Sequence, residues 1–292
     1  MTLLAVPNLS EGRDFAVLER LQQSIGSGVD LLDQHDDIDH NRAVFTIAGE
    51  APAVETALLS LAAAAISEID MVSWSGVHPA IGSMDVCPLV WIDDAGREQA
   101  EEAARRLGEQ FGELGVPVFF YGGLARDEGR RERAFFRDGG LDRLWQRLAS
   151  GELEPDFGPQ HPHPAAGGWL VTARPPLAAF NIELETADLD IASEIAAQIR
   201  ETGGGLSGVR AIGLTLSTGR TQVSTNVHDP AAMPLARVVE AVRDGAQSRG
   251  THAVDAELVG LLPELALVDY PADLPIRDFD PDFHTIERRI KP

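Results

Sequence analysis

The amino-acid sequence predicts an α+β (α/β) fold made of two ferredoxin-like α/β sandwich subdomains, each a mixed sheet covered by helices. Three observations lead to this prediction. The chain has 292 residues, a length that favours about two domains. Its second half has the order strand–helix–strand–strand–helix–strand of a ferredoxin-like unit, and its first half opens with the same order. Between the halves, residues 151–168 are too rich in proline and glycine for a regular element.

The elements of the first half follow from the spacing of its apolar residues. Leu3 opens a short apolar run that Pro7 closes, and Phe15, Leu18 and Leu21 then recur at helical spacing. Short continuous apolar runs predict strands, and longer amphipathic or alanine-rich segments predict helices. The predicted strands are residues 3–6, 29–32, 44–47, 86–92 and 116–121, and the predicted helices are residues 15–25, 51–67, 98–114 and 133–148.

The second half repeats the pattern with shorter connections. The predicted strands are residues 177–184, 208–216, 221–227 and 256–262, and the predicted helices are residues 188–201 and 234–248. The remaining tail, residues 270–292, has too little periodic apolar content for a core element and is expected to lie along the surface.

Composition limits the function classes. The chain is 44% hydrophobic and 24% charged, as in a soluble globular protein, and carries a net charge of −22. That charge disfavours nucleic-acid or anionic-membrane partners, which require a basic surface. Cys87 is the single cysteine, and the N-terminus resembles no signal peptide. The most apolar run, residues 57–66, is too short to span a bilayer. We therefore expect a cytoplasmic protein.

His78 is the first candidate for chemistry. It lies in the segment SWSGVHPAIGSMDVCPLVW, residues 73–91, on a Gly- and Pro-containing loop that leads into a predicted strand. An imidazole exchanges protons near neutral pH, and loops fixed by a sheet often carry catalytic groups. A histidine that is hydrogen-bonded into an ordinary turn would give the same pattern.

A second polar cluster is DQHDDIDHNR, residues 33–42. Its carboxylates and imidazoles are possible metal ligands, but the spacing matches no known ligand pattern, so a solvated, turn-rich loop is favoured. Asp39, Asn41 and Arg42 could alternatively line a neighbouring pocket as polar contacts. In HPHP, residues 161–164, the prolines would direct the two histidines to opposite sides, which disfavours metal binding. We predict no metal site, and no phosphate-binding loop or dinucleotide motif is present.

Several longer segments occur in an order that resembles one family. They are VPNLSEGRD, DHNRAVFTIAG, GVHPAIGSMDVCPL, GVPVFFYG, PDFGPQHPHPAAGG, TARPPLAAFNIEL, QVSTNV and ELVGLLP. Together they resemble the formiminotransferase domain family from about residue 3 to about residue 268. The resemblance implies an N-terminal subdomain at residues 1–176 and a C-terminal subdomain with its tail at residues 177–292, and it does not extend to a cyclodeaminase domain.

The resemblance also implies a function. Members transfer a formimidoyl group from N-formimidoyl-L-glutamate to N5 of tetrahydrofolate, the co-substrate, in histidine degradation, and they form homodimers. By position, His78 matches the catalytic histidine, and residues 158–167 match a folate-contacting loop. We accordingly expect His78 to be the acid/base, and the substrate- and folate-binding residues to be Asp39, Asn41, Arg42, Arg174 and the loop Gly158, Pro159, Gln160, His161, Pro162, His163, Pro164, Ala165, Ala166 and Gly167.

Two positions depart from the family's Gly-Glu-His-Pro-Arg motif. Val77 and Ala80 stand where that motif has Glu and Arg. If the missing Arg holds a substrate carboxylate, Arg42 or Arg174 would have to replace it, because a methyl group cannot. Two alternatives therefore remain open: a folate-binding member with lost or altered transferase activity, and a metal-dependent hydrolase that uses the Asp/His segment.

Overall fold

The structure is a computed structural model that describes residues 2–290. Its residues divide into two compact units, and the division falls between Pro175 and Pro176. Each unit is a sheet packed against helices, so the predicted fold class is confirmed.

The first unit contains strands β1–β7 and helices α1–α5. The strands are β1 (Thr2–Ala5), β2 (Asn8–Leu9), β3 (Asp30–Asp37), β4 (Arg42–Glu50), β5 (Met84–Val90), β6 (Val118–Phe120) and β7 (Trp169–Arg174). The helices are α1 (Phe15–Ser24), α2 (Ala51–Glu68), α3 (Arg97–Glu113), α4 (Arg133–Arg137) and α5 (Gly140–Ser150).

The sheet of this unit is a ferredoxin-like core with an extension. β1 and β2, on either side of Pro7, both pair with β4 and β5, and β3 pairs with the other edge of β4, all antiparallel. β7 and then β6 add to β5 in parallel. Two apolar clusters cover the two faces of this extension. Trp169 and Val171 of β7 pack in the cluster that includes α1–α3, and Leu170 packs in the cluster with α4 and α5.

The second unit is a single ferredoxin-like sandwich. Its strands are β8 (Ala178–Leu184), β9 (Val209–Thr215), β10 (Thr221–Val227) and β11 (Ala253–Val259), and its longer helices are α6 (Leu189–Ile199) and α7 (Leu235–Gln247). The strand order is β11-β8-β10-β9, and the paired strands run antiparallel. Asp188 caps the N-terminus of α6. Its side-chain carboxylate accepts a hydrogen bond from the backbone N–H of Asp190, a donor that has no partner within the helix.

One predicted helix is divided in the structure. The expected helix at residues 133–148 is α4 followed by α5, because Gly139, before α5, and Gly140, its first residue, have φ of 70° and 67°. A right-handed helix needs negative φ, and glycine reaches the left-handed region at little cost. The break allows Arg137 to end one helix while a new helix begins at Gly140.

The Asp/His segment and one strand were also predicted wrongly. Residues 33–37 belong to β3 rather than to a turn-rich loop, because their backbones pair with residues 42–46 of β4. β7 was not predicted at all, although its sequence WLVTAR begins with an apolar run and all but its last residue are buried. The Pro/Gly-rich segment before it masked that signal.

Two further segments differ from the expectation or add to it. The tail is not confined to the surface, because Leu274 and Ile286 are buried and Leu262 and Thr285 form a bridge; it contains the short helices α8 (Pro281–His284) and α9 (Ile286–Arg289). Judged only by its length and composition, α2 could cross a membrane. In this structure Val54, Leu58 and Leu61 of α2 pack in the core of the first unit.

Candidate active site in the first unit

Asp85, at the start of β5, is the centre of a buried charge cluster. Its carboxylate accepts the backbone N–H of Ile81 at 2.8 Å and the guanidinium of Arg42 at 2.8 Å, and it also pairs with Arg137 of α4. The side chain of Asp85 is fully buried, and those of Arg42 and Arg137 are at most 9% exposed. Burial alone would raise the pKa of Asp85, but Arg137 and Arg42 hold it well below its ordinary value. The cluster therefore has two cations for one carboxylate.

His78 lies in the loop that leads to this cluster. Its Nδ1 is 3.0 Å from the carbonyl oxygen of Pro79, and Arg42 donates to the same carbonyl at 3.4 Å. A carbonyl oxygen only accepts, so Nδ1 carries the proton and Nε2 presents its lone pair in the neutral ring. The half-buried imidazole is thereby oriented as a base through Nε2.

The surroundings of His78 favour its neutral form. Burial lowers the pKa of His78 well below its ordinary value, and the neighbouring guanidinium groups of Arg42 and Arg137 lower it further. Asp85 acts in the opposite direction but does not offset them. At neutral pH the ring is therefore unprotonated and ready to accept a proton.

A second imidazole lies beside the first. The ring centroids of His40 and His78 are 5.7 Å apart with a tilt of 44°. His40 is buried, its backbone N–H donates to Asp37 at 2.8 Å, and its Nδ1 is 3.5 Å from the other oxygen of that carboxylate. Within residues 2–290 the buried Nε2 of His40 has no hydrogen-bond partner.

The loop that carries His78 is held by side chains from distant parts of the unit. The backbone oxygen of Ser75 accepts a hydrogen bond from Asn41 Nδ2 at 2.9 Å and another from Arg13 at 3.0 Å. Asn41 has φ of 51°, and its Oδ1 accepts the backbone N–H of Gly12 at 3.1 Å. A Cβ on Gly12 would lie 2.3 Å from the backbone oxygen of Asp37, so only glycine permits this approach. The segment SEGRD thus serves to position the His78 loop.

The proline-rich loop adjoins the same segment. Gly167 has φ of 70°, and a Cβ there would lie 2.1 Å from the backbone oxygen of Ile81. The backbone N–H of Ser83 donates to the backbone oxygen of Ala166 at 3.0 Å. The backbones of His163 and Gly167 exchange hydrogen bonds of 2.9 and 3.0 Å. Gln160 Nε2 donates to the backbone oxygen of Leu153 at 2.6 Å. The loop is therefore an ordered turn. Backbone hydrogen bonds attach its end to residues 81–83, which follow His78 in the sequence.

The exposed positions of this loop are those that remain available to a ligand. Gly158, Gln160, His161 and Pro164 are exposed, whereas Ala166 and Gly167 are buried. His163 Nδ1 accepts the backbone N–H of Ala166 at 3.0 Å, so this ring serves the turn itself.

A second group of arginines lies on the sheet face that α4 and α5 cover. Tyr121 follows β6 and is buried in the apolar cluster of that face, and Arg174 ends the neighbouring strand β7. Burial lowers the pKa of Arg174 to about 10, and burial and Arg137 lower the pKa of Arg133. In the part of the chain that the structure describes, neither Arg133 nor Arg174 forms an ion pair.

The four predicted polar residues outside the proline-rich loop all have hydrogen-bond partners within the protein. Arg42 lies next to His78 but is engaged by Asp85, and Asn41 is engaged by the loops it holds. The backbone oxygen of Asp39 accepts the N–H of Val77 at 3.4 Å. Arg174 donates to the carbonyl of Pro175 at 2.9 Å.

The two residues that depart from the family motif differ in exposure. Val77 is 45% exposed, whereas Ala80 is 8% exposed and packs in the core of the first unit. Neither offers a polar group to a ligand.

Sequence reasoning missed four residues of this region and considered His40 only as a possible metal ligand. The four are Asp85, Tyr121, Arg133 and Arg137. Asp85 pairs with residues 43 and 52 positions away along the chain, and no local spacing encodes such a pair. Of these residues, Asp85 had the clearest signal in the sequence, because an acidic residue at the start of a buried apolar strand needs a partner for its charge.

Comparison with known proteins identifies the family. Residues 2–174 match the formiminotransferase domain, N-terminal subdomain, and residues 179–275 match the formiminotransferase domain. The chain is 36% identical over 290 residues to a glutamate formimidoyltransferase of Streptococcus pyogenes, covering 98% of this chain and 97% of that protein. It is 35% identical over 294 residues to a glutamate formimidoyltransferase of Thermoplasma acidophilum, covering 98% and 96%.

A longer relative matches over part of its length. The chain is 38% identical over 274 residues to the formimidoyltransferase-cyclodeaminase of Gallus gallus, covering 90% of this chain and 50% of that protein. Residues 2–174 and 179–275 therefore both match models of one family. The chain belongs to the formiminotransferase domain family.

Proposed function

We propose that this protein transfers the formimidoyl group of N-formimidoyl-L-glutamate to N5 of tetrahydrofolate, in the pathway of histidine degradation. The full-length similarity to glutamate formimidoyltransferases supports the reaction. The observation that carries the mechanism is the neutral, oriented ring of His78, whose Nδ1 is bound to Pro79 and whose Nε2 lone pair is left free.

One histidine is sufficient for the proton transfers. N5 of tetrahydrofolate attacks the amidine carbon of the donor and forms a tetrahedral intermediate. His78 Nε2 takes the proton that N5 loses. The resulting imidazolium returns that proton to the glutamate nitrogen as the bond between this nitrogen and the former amidine carbon breaks. The products are 5-formimidoyltetrahydrofolate and L-glutamate, and His78 is neutral again.

The buried arginines tune this shuttle. A histidine with a lowered pKa is a weaker base, but its protonated form is a stronger acid. Arg42 and Arg137 therefore favour release of the proton to the leaving nitrogen. General acid–base help of this kind contributes about 10²- to 10⁴-fold to a rate.

We assign tetrahydrofolate as co-substrate and the exposed side of the loop at residues 158–167 as its contact. The hydrogen bonds that hold this loop against residues 81–83 support the assignment, because residues 81–83 follow shortly after His78 in the sequence. Asp39, Asn41, Arg42 and Arg174 remain the proposed polar contacts, with Asn41 and Arg42 acting mainly by positioning the His78 loop.

The experiment is a transfer assay with the purified protein. Tetrahydrofolate is offered with N-formimidoyl-L-glutamate and, separately, with N-formyl-L-glutamate. We expect transfer from the formimidoyl donor, and a fall in kcat of about 10²- to 10⁴-fold in His78→Gln with folate binding retained. If wild-type protein binds tetrahydrofolate but transfers neither group, the protein is a folate-binding member without this activity.

We also propose a cytoplasmic homodimer. The similarity to the family supports the dimer, and a single buried cysteine, Cys87, suits a reducing compartment. Light scattering on the eluted protein should give twice the 31.4 kDa mass of the chain, and the mass of one chain would exclude the dimer.

A further inference from the structure

We infer that Arg133, Arg174 and Tyr121 form the site that holds a carboxylate group of a glutamate-like dicarboxylate, next to the Asp85 cluster. This inference rests on the proposed function, because it names the groups that recognise the donor. Arg133 and Tyr121 were not among the residues expected from the sequence, and neither follows from the family motif.

The guanidinium groups of this region outnumber their carboxylate partners. Arg133 and Arg174 are both half-buried, and within residues 2–290 neither has a carboxylate partner. Arg137 is paired with Asp85, yet its Nε is buried without a hydrogen-bond partner. Partly dehydrated guanidinium groups that lack a counter-ion repel each other and lose hydration. An anionic ligand would compensate both costs.

Arg133, Arg174 and Tyr121 come from neighbouring elements of the first unit. Arg133 and Arg137 are four residues apart in α4, so they lie one above the other on one helix face, about 6 Å apart along the axis. Arg137 reaches Asp85. Tyr121 packs in the same apolar cluster as Phe136 of α4, and the backbone N–H of the next residue, Gly122, donates to the backbone oxygen of Arg131 at 3.0 Å. Arg174 ends β7, the strand beside β6. Arg133 is thus about one turn from the cluster that adjoins His78. A dicarboxylate held there would extend toward the Asp85 cluster.

These three side chains also offer the hydrogen-bond donors that a carboxylate needs. Guanidinium groups bind carboxylates in a two-pronged geometry, and the tyrosine hydroxyl supplies a further donor. Among the described residues the hydroxyl of Tyr121 makes no hydrogen bond, and it is not fully enclosed. In a protein of net charge −22 such a cationic group is a focused anion site rather than part of a general basic surface.

This assignment also accounts for Ala80. Arg42 cannot replace a missing carboxylate-binding arginine, because Asp85 and the carbonyl of Pro79 already engage it. Arg174 has no ion-pair partner among residues 2–290, and Arg133 of α4 adds a second guanidinium without one on the same face of the sheet. Two arginines would then perform the recognition that position 80 cannot.

The test is calorimetric titration with glutarate, a dicarboxylate that lacks the reacting group, and with butyrate, a monocarboxylate. We expect glutarate to bind wild-type protein more tightly than butyrate does. Arg133→Gln should weaken glutarate binding by about 10- to 100-fold, as for loss of a charged hydrogen bond. Arg133→Lys should have an intermediate effect, because it keeps the charge and loses the planar donors. The matched control is Arg131→Gln, since Arg131 is exposed and pairs with Glu128.

The donor's KM gives the second readout. In Arg133→Gln the KM for N-formimidoyl-L-glutamate should rise by a similar factor, with the KM for tetrahydrofolate unchanged. The inference is overturned if Arg133→Gln and Arg131→Gln bind glutarate equally well, or if wild-type protein does not bind glutarate at millimolar concentration. Its failure is distinguishable from that of the proposed function. Transfer with no dependence on Arg133 removes only this site, whereas Arg133-dependent glutarate binding without transfer removes only the reaction.

Discussion

In the first unit the buried carboxylate of Asp85 is paired with two buried guanidinium groups, whereas in the second unit the buried carboxylate of Glu183 is paired with two half-exposed ones. Arg220 and Arg277 approach Glu183 at 3.1 and 2.8 Å, and their side chains are 43% and 46% exposed. Each of them also has a second carboxylate partner, Glu185 or Asp255. Hydrated arginines with several partners satisfy a buried acid at small cost.

The first unit has the opposite balance. Arg42 and Arg137 share Asp85, and Arg133 and Arg174 have no carboxylate partner within residues 2–290. Guanidinium groups that outnumber carboxylates in a partly dehydrated site are unfavourable for stability. Such an excess therefore indicates a place where a ligand binds or a reaction occurs. The comparison teaches that unbalanced buried charge, rather than buried charge itself, distinguishes the candidate active site from a structural ion-pair network.

The largest expected difference between the units is in stability. Asp85→Asn leaves two buried guanidinium groups without a counter-ion and should lower the free energy of unfolding by about 3–5 kcal/mol. Glu183→Gln should cost about 1 kcal/mol, because its arginines are hydrated and keep Glu185 and Asp255. Urea unfolding of both variants measures the two costs. Equal losses would show that the two networks do not differ as we describe.

A matched pair of glycines tests how tightly each unit holds its turns. Gly167→Ala should cost about 2–4 kcal/mol, because φ is 70° and the new Cβ would lie 2.1 Å from the backbone oxygen of Ile81. Gly219→Ala in the second unit has φ of 80° but no atom within 4 Å, so only the backbone strain of about 1–2 kcal/mol applies.

The same variants should separate in activity. Gly167→Ala displaces the loop at residues 158–167 from Ile81 and should also raise the KM for tetrahydrofolate. Gly219→Ala should leave that KM at its wild-type value. A normal KM in Gly167→Ala would remove the loop from the proposed folate contacts.

The smallest effect concerns pH. Wild-type kcat/KM should fall as pH falls through the lowered pKa of His78, because the protonated ring cannot accept the proton of N5. Arg137→Gln removes a neighbouring positive charge, so the pKa of His78 should rise and the acid limb should move to higher pH. Arg130→Gln is the control, since Arg130 pairs with Asp127. A shift to lower pH in Arg137→Gln would contradict the electrostatic account.

Much of the fold was predictable from the sequence because its signals are local. Apolar runs and helical spacing place β1, α2, α3 and the whole βαββαβ order of the second unit within a few residues of the observed bounds. The errors arose where tertiary pairing overrides local polarity. Residues 33–37 are polar yet form a strand because β4 offers a partner, and Gly139–Gly140 interrupts an otherwise continuous helical pattern.

The candidate site was predictable only in part. His78 and the loop at residues 158–167 stand out by motif, because several characteristic residues are adjacent in the sequence. Asp85, Arg133 and Arg137 could not be related to His78 in advance, since their relation is formed by β5 and α4 packing together. Buried ion pairs of long sequence separation have no sequence signature of their own.

The most direct test of the central claim is an NMR titration of the His78 ring, recorded beside the pH dependence of kcat/KM. We predict a neutral ring at pH 7 with the proton on Nδ1, a titration below the ordinary pKa of 6.5, and an acid limb of the rate profile at the same pH. A His78 ring that is protonated at pH 7, or a rate that stays constant while the ring titrates, would contradict the account.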